Sequence, residues 1–286
     1  MQRILIQLDT DSHPSTFDRV VAVDAGVHRL FSYGGVTPEN VVPLIHGAMF
    51  TRGPADLKNT ALFIGGSDVA AGEELVKTIE STFFGPLHVS LMMDSNGSNT
   101  TAAAAVLAAG RHLPLSGSVA VVLGGAGPVG QRAALLLALE GAKVRVASRS
   151  LDRARIACAD IMKIADGAEL TPCETGSTTE LETVCQGVSL IIAAGAAGVT
   201  FLSAEQRQAI GSLKVAIDLN AVPPAGLTGI NPADKAAERD GTICFGAIGV
   251  GGTKMKIHKA ALSKLFESND QLLDTKAIYQ IGSEIA

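Results

Sequence analysis

The sequence predicts an α/β fold with two domains, each built on a parallel sheet. Short apolar runs followed by small polar residues recur three times in the first third of the chain. A further apolar run, residues 119–123, breaks into glycines and then resumes at helical spacing, which is typical of a buried strand, a tight turn and a helix. With 286 residues, of which 47% are hydrophobic, the chain can bury two cores.

Composition excludes several classes of protein. The formal net charge of −5, the absence of tryptophan and the presence of only two tyrosines argue against a nucleic-acid partner. No run approaches the roughly 20 apolar residues that a membrane span needs, and the first residues do not resemble a signal peptide. We therefore expect a cytoplasmic protein without a membrane partner. Cys158, Cys173, Cys185 and Cys244 show no CxxC spacing, so we expect small core residues and no metal site.

The first domain is predicted to contain three strand-turn-helix units, and ligands of parallel sheets bind beyond the carboxyl ends of the strands. The three turns should therefore line one crevice. Thr37 and Pro38 also indicate the start of a helix, and Tyr33 before it is either a core residue or a stacking platform. The predicted strands are residues 4–8, 61–64 and 89–93, and their turns are residues 9–12, 65–68 and 94–101.

The third turn is the richest in polar groups. Asp94 to Thr101 offers seven polar side chains around one helix start, whereas a helix cap needs one side chain. Several of these groups are thus expected to be free for a ligand, although capping alone is the alternative for each turn. The helix that follows, residues 98–112, is predicted to connect the domains and to end before Pro114.

The glycine turn predicts a Rossmann-type, doubly wound domain that binds a dinucleotide. Gly125, Gly127 and Gly130 have the GxGxxG spacing, with Pro128 and Val129 between the last two. In that motif one glycine makes the turn, one admits the pyrophosphate and one lets helix and strand approach. The helix start that follows favours an anion.

The end of the next strand indicates which dinucleotide binds. Proteins that bind NAD usually carry an acidic residue there for the ribose hydroxyls, but this chain has Ser148, Arg149 and Ser150. Arg149 and the two hydroxyls could hold a 2′-phosphate by charge-assisted hydrogen bonds. NADP is therefore preferred and NAD stays possible, while a solvated surface arginine is the alternative.

Later strands are predicted at residues 189–193, 215–219 and 242–245, after a helix at 151–164 and an exposed segment at 169–182. Ala194, Gly195 and Asn220 follow two of these strands. Such residues let a nicotinamide ribose lie against the backbone, although ordinary tight packing explains them equally well.

Two lysines precede the next helical pattern. Helical spacing resumes at Ile257, which places Lys254 and Lys256 in the approach or first turn of a helix. Cations there oppose the helix dipole by about 0.3–1 kcal/mol each, so an anionic ligand group or a substrate carbonyl could hold them. A solvated pair is the alternative. His258 is expected to be a packed or capping residue, and residues 275–285 to form a final helix.

Together these motifs resemble the bacterial NAD(P)-dependent methylene-tetrahydromethanopterin dehydrogenases, over essentially the whole chain. The resemblance implies a pterin-binding domain (1–106, with 270–286 packing back on it), an NADP-binding domain (107–269) and an interdomain cleft that holds the pterin. It also implies a homo-oligomer. The residues that carry it are Asp9, Thr10, Asp11, Tyr33, Gly34, Val36, Thr37, Pro38, residues 50–53, residues 94–101, residues 127–130, Gly251, Gly252, Lys254 and Lys256.

The implied reaction moves a hydride from methylene-tetrahydromethanopterin to NADP or NAD. A nitrogen lone pair stabilises the developing cation, so no general base is needed, and catalysis depends on alignment and electrostatics. The resemblance suggests Asp94 and Asp11 as carboxylates that favour positive charge, and Lys256 as a pterin contact. It further suggests substrate contacts from Tyr33, Ser95, Asn96, Asn99 and Lys254.

Three other functions stay open at this point. Methylene-tetrahydrofolate oxidation would keep the fold and change the carrier. A shikimate-type dehydrogenase would need a lysine and aspartate pair in the first domain, where Lys58 is the obvious lysine. A nucleotide sensor without turnover would need only the glycine turn.

Overall fold

A computed structural model describes residues 1–196 and 198–285, and it divides the chain into two compact units. The first unit comprises Met1–Thr100 and Met255–Ile285, and the second comprises Thr101–Lys254. The sequence analysis expects the boundaries at 106/107 and 269/270, whereas contacts assign residues 255–269 to the first unit. Ala197 and Ala286 lie outside the described residues.

The first unit contains a five-stranded parallel sheet in the order β2-β1-β3-β4-β12. This is the 2-1-3-4-5 order of flavodoxin-like sheets, with the last strand supplied by the C-terminal segment. Its elements are β1 (Ile4–Asp9), α1 (Thr16–Asp24), β2 (Arg29–Tyr33), α2 (Pro38–Phe50), a 3-10 helix (Pro54–Asn59), β3 (Thr60–Gly65), α3 (Val69–Thr82), β4 (Ser90–Met93), β12 (Leu272–Leu273) and α10 (Thr275–Ile285).

The position of each strand follows from its apolar pattern. β3 lies in the middle of the sheet and is buried along its whole length, and its apolar residues pack with those of α2 and α3. β2 is an edge strand in which half-buried Leu30 and Ser32 alternate with exposed neighbours. The sequence does not predict β2, because apolar and polar residues do not alternate along it: Phe31 and Tyr33 are exposed and Ser32 is half-buried.

The second unit contains a seven-stranded sheet in the order β10-β11-β9-β8-β5-β6-β7, parallel except for the pair β10–β11. Without β10 the order is the 3-2-1-4-5-6 of the Rossmann fold, which confirms the predicted fold class. Its elements are α4 (Ser98–Gly110), β5 (Val119–Leu123), α5 (Pro128–Leu139), β6 (Lys143–Ser148), α6 (Leu151–Met162), β7 (Leu170–Glu174), α7 (Thr178–Cys185), β8 (Leu190–Ala193), α8 (Ala204–Gln208), β9 (Val215–Asp218), β10 (Ala237–Arg239), β11 (Thr242–Phe245) and α9 (Ala247–Lys264).

Helices α4 and α9 each continue past the division between the units. The exposed segment at 169–182 contains β7 and the start of α7, a helix that the sequence analysis missed together with α8 and β10. Cys158, Cys185 and Cys244 are buried, and burial raises the pKa of Cys158 to about 11 and that of Cys185 to about 12. Within the described ranges, no helix combines the length and apolar character needed to cross a membrane.

The start of α9 corrects the interpretation of the two lysines. The helix begins at Ala247, so Lys254 and Lys256 lie in its interior and not in its first turn. The dipole effect fades beyond the first turn, so the two lysine charges do not destabilise the helix start. The helical spacing that resumes at Ile257 marks only the later part of this helix.

Close packing explains two of the glycines before Ile257, Gly246 and Gly249. A Cβ on Gly249 would lie 1.8 Å from the Asp234 carbonyl oxygen, and one on Gly246 would lie 2.1 Å from the Asn231 carbonyl oxygen. The amides of Ile248 and Gly249 donate to the Pro232 carbonyl oxygen, which caps the helix start. These contacts offset the low helix propensity of glycine.

Two substitutions in α9 test this packing. Gly249→Ala should lower the free energy of unfolding by about 1–3 kcal/mol, because its methyl group meets backbone. Gly252→Ala should raise the free energy of unfolding by about 0.5–1 kcal/mol, because its site is open and helical. Urea denaturation measures both values. Equal effects of the two substitutions would contradict a helix that begins at Ala247.

Candidate functional site

The loops at the carboxyl edge of the first sheet lie in contact, as the sequence analysis expects for its three turns. The amide and hydroxyl of Ser67 donate to the carboxylate of Asp11 at 3.0 and 2.8 Å. The amide of Asn96 donates to the Gly66 carbonyl oxygen at 2.7 Å. The amide of Gly35, after β2, donates to the Asp11 carbonyl oxygen at 2.8 Å. Four loops therefore form one continuous edge.

Asp94 is the buried cap of α4. Its Oδ1 accepts hydrogen bonds from the amides of Asn99 and Thr100 at 2.9 and 3.0 Å, and its Oδ2 accepts one from the Thr100 hydroxyl at 2.6 Å. Its side chain is 0% exposed. Both oxygens are thus engaged inside the protein, and this position allows no direct contact between Asp94 and a ligand in solution.

The polar run at 94–101 is otherwise largely buried, which differs from the expectation that several of its side chains are free. The Ser95 hydroxyl donates to the Gly65 carbonyl oxygen at 3.2 Å. The Asn99 amide group donates to the Met93 carbonyl oxygen at 2.6 Å, while its Oδ1 accepts from the Thr275 hydroxyl at 2.7 Å. One polar run thus ties together β3, β4, α4 and α10.

Three of the predicted site residues remain accessible at this edge. Asn96 is exposed and adopts φ 53°, a conformation that asparagine tolerates better than most residues. Asp11 is half-buried, and Tyr33 is exposed at the end of β2. Together with exposed Ser67 they offer a carboxylate, an amide, a hydroxyl and an aromatic ring to a ligand.

His258 of α9 packs against residues of this edge, and Lys256 lies two residues earlier in the same helix. The buried ring of His258 stacks on Phe63 at 5.6 Å between centroids, and its Nδ1 lies 3.9 Å from Asp94 Oδ2. Lys256 precedes His258 by two residues, so the two side chains leave the helix on different faces, and that of Lys256 is exposed. Lys254 is half-buried and belongs to the second unit.

In the second unit the three glycines differ in the space around them. A Cβ on Gly125 would lie 2.9 Å from Val146 Cγ1, and one on Gly130 would lie 2.3 Å from the Gly124 carbonyl oxygen. A Cβ on Gly127 would meet its nearest neighbour at 3.3 Å. Gly125 and Gly130 are therefore required by packing, and the backbone at Gly127 is the more open one.

This arrangement fits a bound pyrophosphate. Pro128, which has no backbone N–H, is the first residue of α5, so the backbone amides at the positive dipole end of the helix begin with Val129. Such a helix start binds phosphate groups through backbone amides. The glycine turn thus has the geometry that the sequence analysis assigns to a dinucleotide site.

The end of β6 presents an exposed arginine. Arg149 lies between Ser148, whose Oγ accepts from the Ser150 amide at 3.3 Å, and Ser150, whose Oγ caps α6 by accepting from the Arg153 amide at 3.4 Å. The two hydroxyls hold the turn, and the guanidinium of Arg149 extends into solvent. This turn carries no carboxylate for ribose hydroxyls.

Internal contacts fix the shapes of the loops after β8 and β9. Ala194 and Gly195 are half-buried, and a Cβ on Gly195 would lie 2.3 Å from the Phe201 ring. The Asn220 amide group donates to the Pro224 carbonyl oxygen at 2.9 Å, and its Oδ1 accepts from the Val222 amide at 3.0 Å. The Asn220 side chain therefore folds its own loop.

Comparisons with known proteins identify the family of this chain. The family model described as methylene-tetrahydromethanopterin dehydrogenase, N-terminal, matches residues 16–96. The chain is 43% identical over 289 residues to "Bifunctional protein MdtA" of Methylorubrum extorquens AM1, covering 100% of this chain and 99% of the relative. The chain belongs to the methylene-tetrahydromethanopterin dehydrogenase family. Its resemblance to that family is thereby confirmed.

A second member of the family is also similar along its whole length. The "NAD(P)-dependent methylenetetrahydromethanopterin dehydrogenase" of the same organism is 33% identical over 292 residues, covering 99% of this chain and 98% of the relative. Among solved structures, quinate dehydrogenase from Corynebacterium glutamicum in complex with NAD has a TM-score of 0.50 at 14% identity, with 99% of each chain covered. That likeness shows the fold of the present chain.

The packing at Gly130 predicts a loss of dinucleotide binding on substitution. Gly130→Ala places a methyl group against the Gly124 carbonyl oxygen and shifts the turn. We therefore expect the Kd of NADPH to rise about tenfold or more. Gly47→Ala is the control, since its site in α2 has no atom within 4 Å. Isothermal titration with NADPH measures both. Wild-type affinity in Gly130→Ala would exclude this turn as the binding site.

Proposed function

We propose that this protein oxidises methylene-tetrahydromethanopterin to methenyl-tetrahydromethanopterin, with NADP as hydride acceptor, in one-carbon metabolism. Family membership along the whole chain carries the proposal, and the packing of Gly125 and Gly130 around the open Gly127 supports the cofactor. The bound dinucleotide supplies the hydride-accepting carbon. The homo-oligomer and the cytoplasmic location stay predictions.

The accessible groups at the carboxyl edge of the first sheet suit a reaction in which no proton leaves the reacting carbon of the substrate. The substrate methylene lies between two nitrogens, and a nitrogen lone pair delocalises the cation as hydride leaves. We assign Asp11 to electrostatic stabilisation of that cation, because it is the carboxylate of the predicted set that reaches the surface. Tyr33 and Asn96 are assigned to orientation of the pterin. Asp94, Ser95 and Asn99 are assigned to holding the loop.

Reduction of NADP on addition of the substrate is the decisive experiment. The near-ultraviolet absorbance of NADPH should rise when methylene-tetrahydromethanopterin is added to protein and NADP. Parallel assays with methylene-tetrahydrofolate test the alternative carrier, which should give a lower kcat/KM. Absence of turnover with both carriers, in protein that binds NADPH, would overturn the proposal and favour a nucleotide sensor.

Arg149 is proposed to select NADP over NAD. Arg149→Ala should lower kcat/KM for NADP about tenfold or more, since hydrogen bonds to charged groups contribute about 1.5–3 kcal/mol. The kcat/KM for NAD should not change. Arg155→Ala is the control, because this exposed arginine pairs with Asp152 on α6. Equal losses with both dinucleotides would mean that Arg149 does not contact the 2′-phosphate.

Lys256 is proposed to contact the pterin. Lys256→Ala should raise the KM for the pterin roughly two- to tenfold, as expected for loss of one hydrogen bond to the ligand. Lys264→Ala, at the other end of α9, removes a lysine that pairs with Glu267 and should leave the KM unchanged. Steady-state kinetics at saturating NADP measure both. Unchanged KM and kcat in Lys256→Ala would refute this assignment.

A further inference from the structure

A buried carboxylate organises the loop that follows β9. Asp218, the last residue of that strand, is 2% exposed. Its Oδ1 accepts from the Asn220 amide at 3.0 Å and its Oδ2 from the Leu227 amide at 2.9 Å. Burial raises its pKa, while hydrogen bonds from the backbone at Leu227, Asn220 and Gly226 act in the opposite direction. The loop thus closes around one side chain.

This loop is bonded to the loop that follows β8. The Phe201 amide donates to the Gly226 carbonyl oxygen at 2.8 Å, and the Thr200 hydroxyl donates to the Ala225 carbonyl oxygen at 3.0 Å. A Cβ on Gly226 would lie 2.8 Å from Asp218 Oδ1, so the carboxylate fills the space beside that glycine. Asp218 therefore supports the described parts of both loops.

The contacts continue to the glycine turn. The Phe201 ring occupies the position that a Cβ on Gly195 would take, at 2.3 Å. A Cβ on Gly124 would lie 2.8 Å from both the Gly195 nitrogen and its Cα. A series of close contacts thus connects Asp218 with the turn at the carboxyl end of β5.

The position of these loops in the sheet indicates which half of a dinucleotide they border. In the 3-2-1-4-5-6 order the two mononucleotide-binding halves meet where the strand order reverses, here between β5 and β8. The adenosine half belongs with β5, β6 and β7, and the nicotinamide half with β8 and β9. Asp218 lies in the second group.

We infer that Asp218 is a positioning residue that fixes the loops bordering the nicotinamide ring, without touching the ring. Its burial and its occupied oxygens exclude direct contact. The inference rests on the proposed function, because it assumes NADP as the hydride acceptor. A misplacement of about 1 Å can lower the rate of a reaction about 100-fold, so a shift of these loops should act on kcat.

Asp218→Asn tests the inference with minimal change in volume. The new amide group places N–H donors against a backbone N–H, so one loop contact is lost and the other is kept. We expect kcat to fall at least tenfold, while the Kd of adenosine 2′,5′-bisphosphate stays within twofold of the wild-type value. Asp234→Asn is the control, because this buried aspartate holds Arg239 and Asn231 in the same unit. It should leave kcat unchanged.

A binding measurement makes the test independent of turnover. NADPH and adenosine 2′,5′-bisphosphate share the adenosine half, so the ratio of their Kd values reports the contribution of the nicotinamide half. In Asp218→Asn, the Kd of adenosine 2′,5′-bisphosphate divided by the Kd of NADPH should fall at least fivefold. If the wild-type protein binds NADPH but does not turn over the pterin, the proposed function fails while this ratio still tests Asp218.

Two outcomes would overturn the inference. One is a folded Asp218→Asn variant with wild-type kcat and Kd ratio. The other is an equal loss of affinity for NADPH and adenosine 2′,5′-bisphosphate, which would indicate general damage to the unit. If Asp218→Asn does not fold, Thr200→Val removes the link to Ala225 and should lower kcat two- to fivefold. No change in that variant would also contradict the inference.

Discussion

Both sheets depend on a carboxylate buried where a strand ends. Asp9, Asp94 and Asp218 are at most 2% exposed and terminate or directly follow β1, β4 and β9. Each accepts hydrogen bonds from backbone amides a few residues further along the chain, in the following loop or, for Asp94, in the first turn of α4. Such amides need partners once they are buried, and a charged acceptor forms stronger hydrogen bonds than a neutral one. The loops at the carboxyl edges of the two sheets thereby acquire defined shapes.

The same constraint separates two groups of polar residues that look alike in the sequence. Asp94 and Asn99 are buried and hold the backbone, whereas Asp11 and Asn96 are accessible at the surface of the same edge. In the second unit, Asn220 shapes its loop and Arg149 extends into solvent. We thus assign ligand recognition to a few accessible side chains. The positions of these side chains depend on buried neighbours.

Much of the fold could be predicted from local patterns. The GxGxxG spacing and the apolar runs gave the dinucleotide fold, because close packing at Gly125 and Gly130 leaves room for no other residue. Other features depend on long-range contacts. The start of α9 could not be predicted, since the reason for Gly246 and Gly249 is their packing against residues 231–235, which a local pattern does not show. β2 was missed because an edge strand carries a weak apolar pattern.

The candidate site was less predictable than the fold. A run of polar residues at a strand end indicates a ligand edge, but the sequence does not show which of them are satisfied internally. Asn99 is engaged by Thr275, a residue far along the chain. Asp218 was not singled out, although a carboxylate ending the apolar strand Val215–Asp218 is a signal that could have identified it.

The pairing of β12 with β4 affects the order in which the protein can form during synthesis. Residues 272–273 complete the first sheet, and His258 from the same late segment stacks on Phe63 of β3. The second unit is continuous in the chain. A ribosome therefore releases residues 101–254 before residues 272–273, so the first sheet is completed only after that part of the second unit has been made.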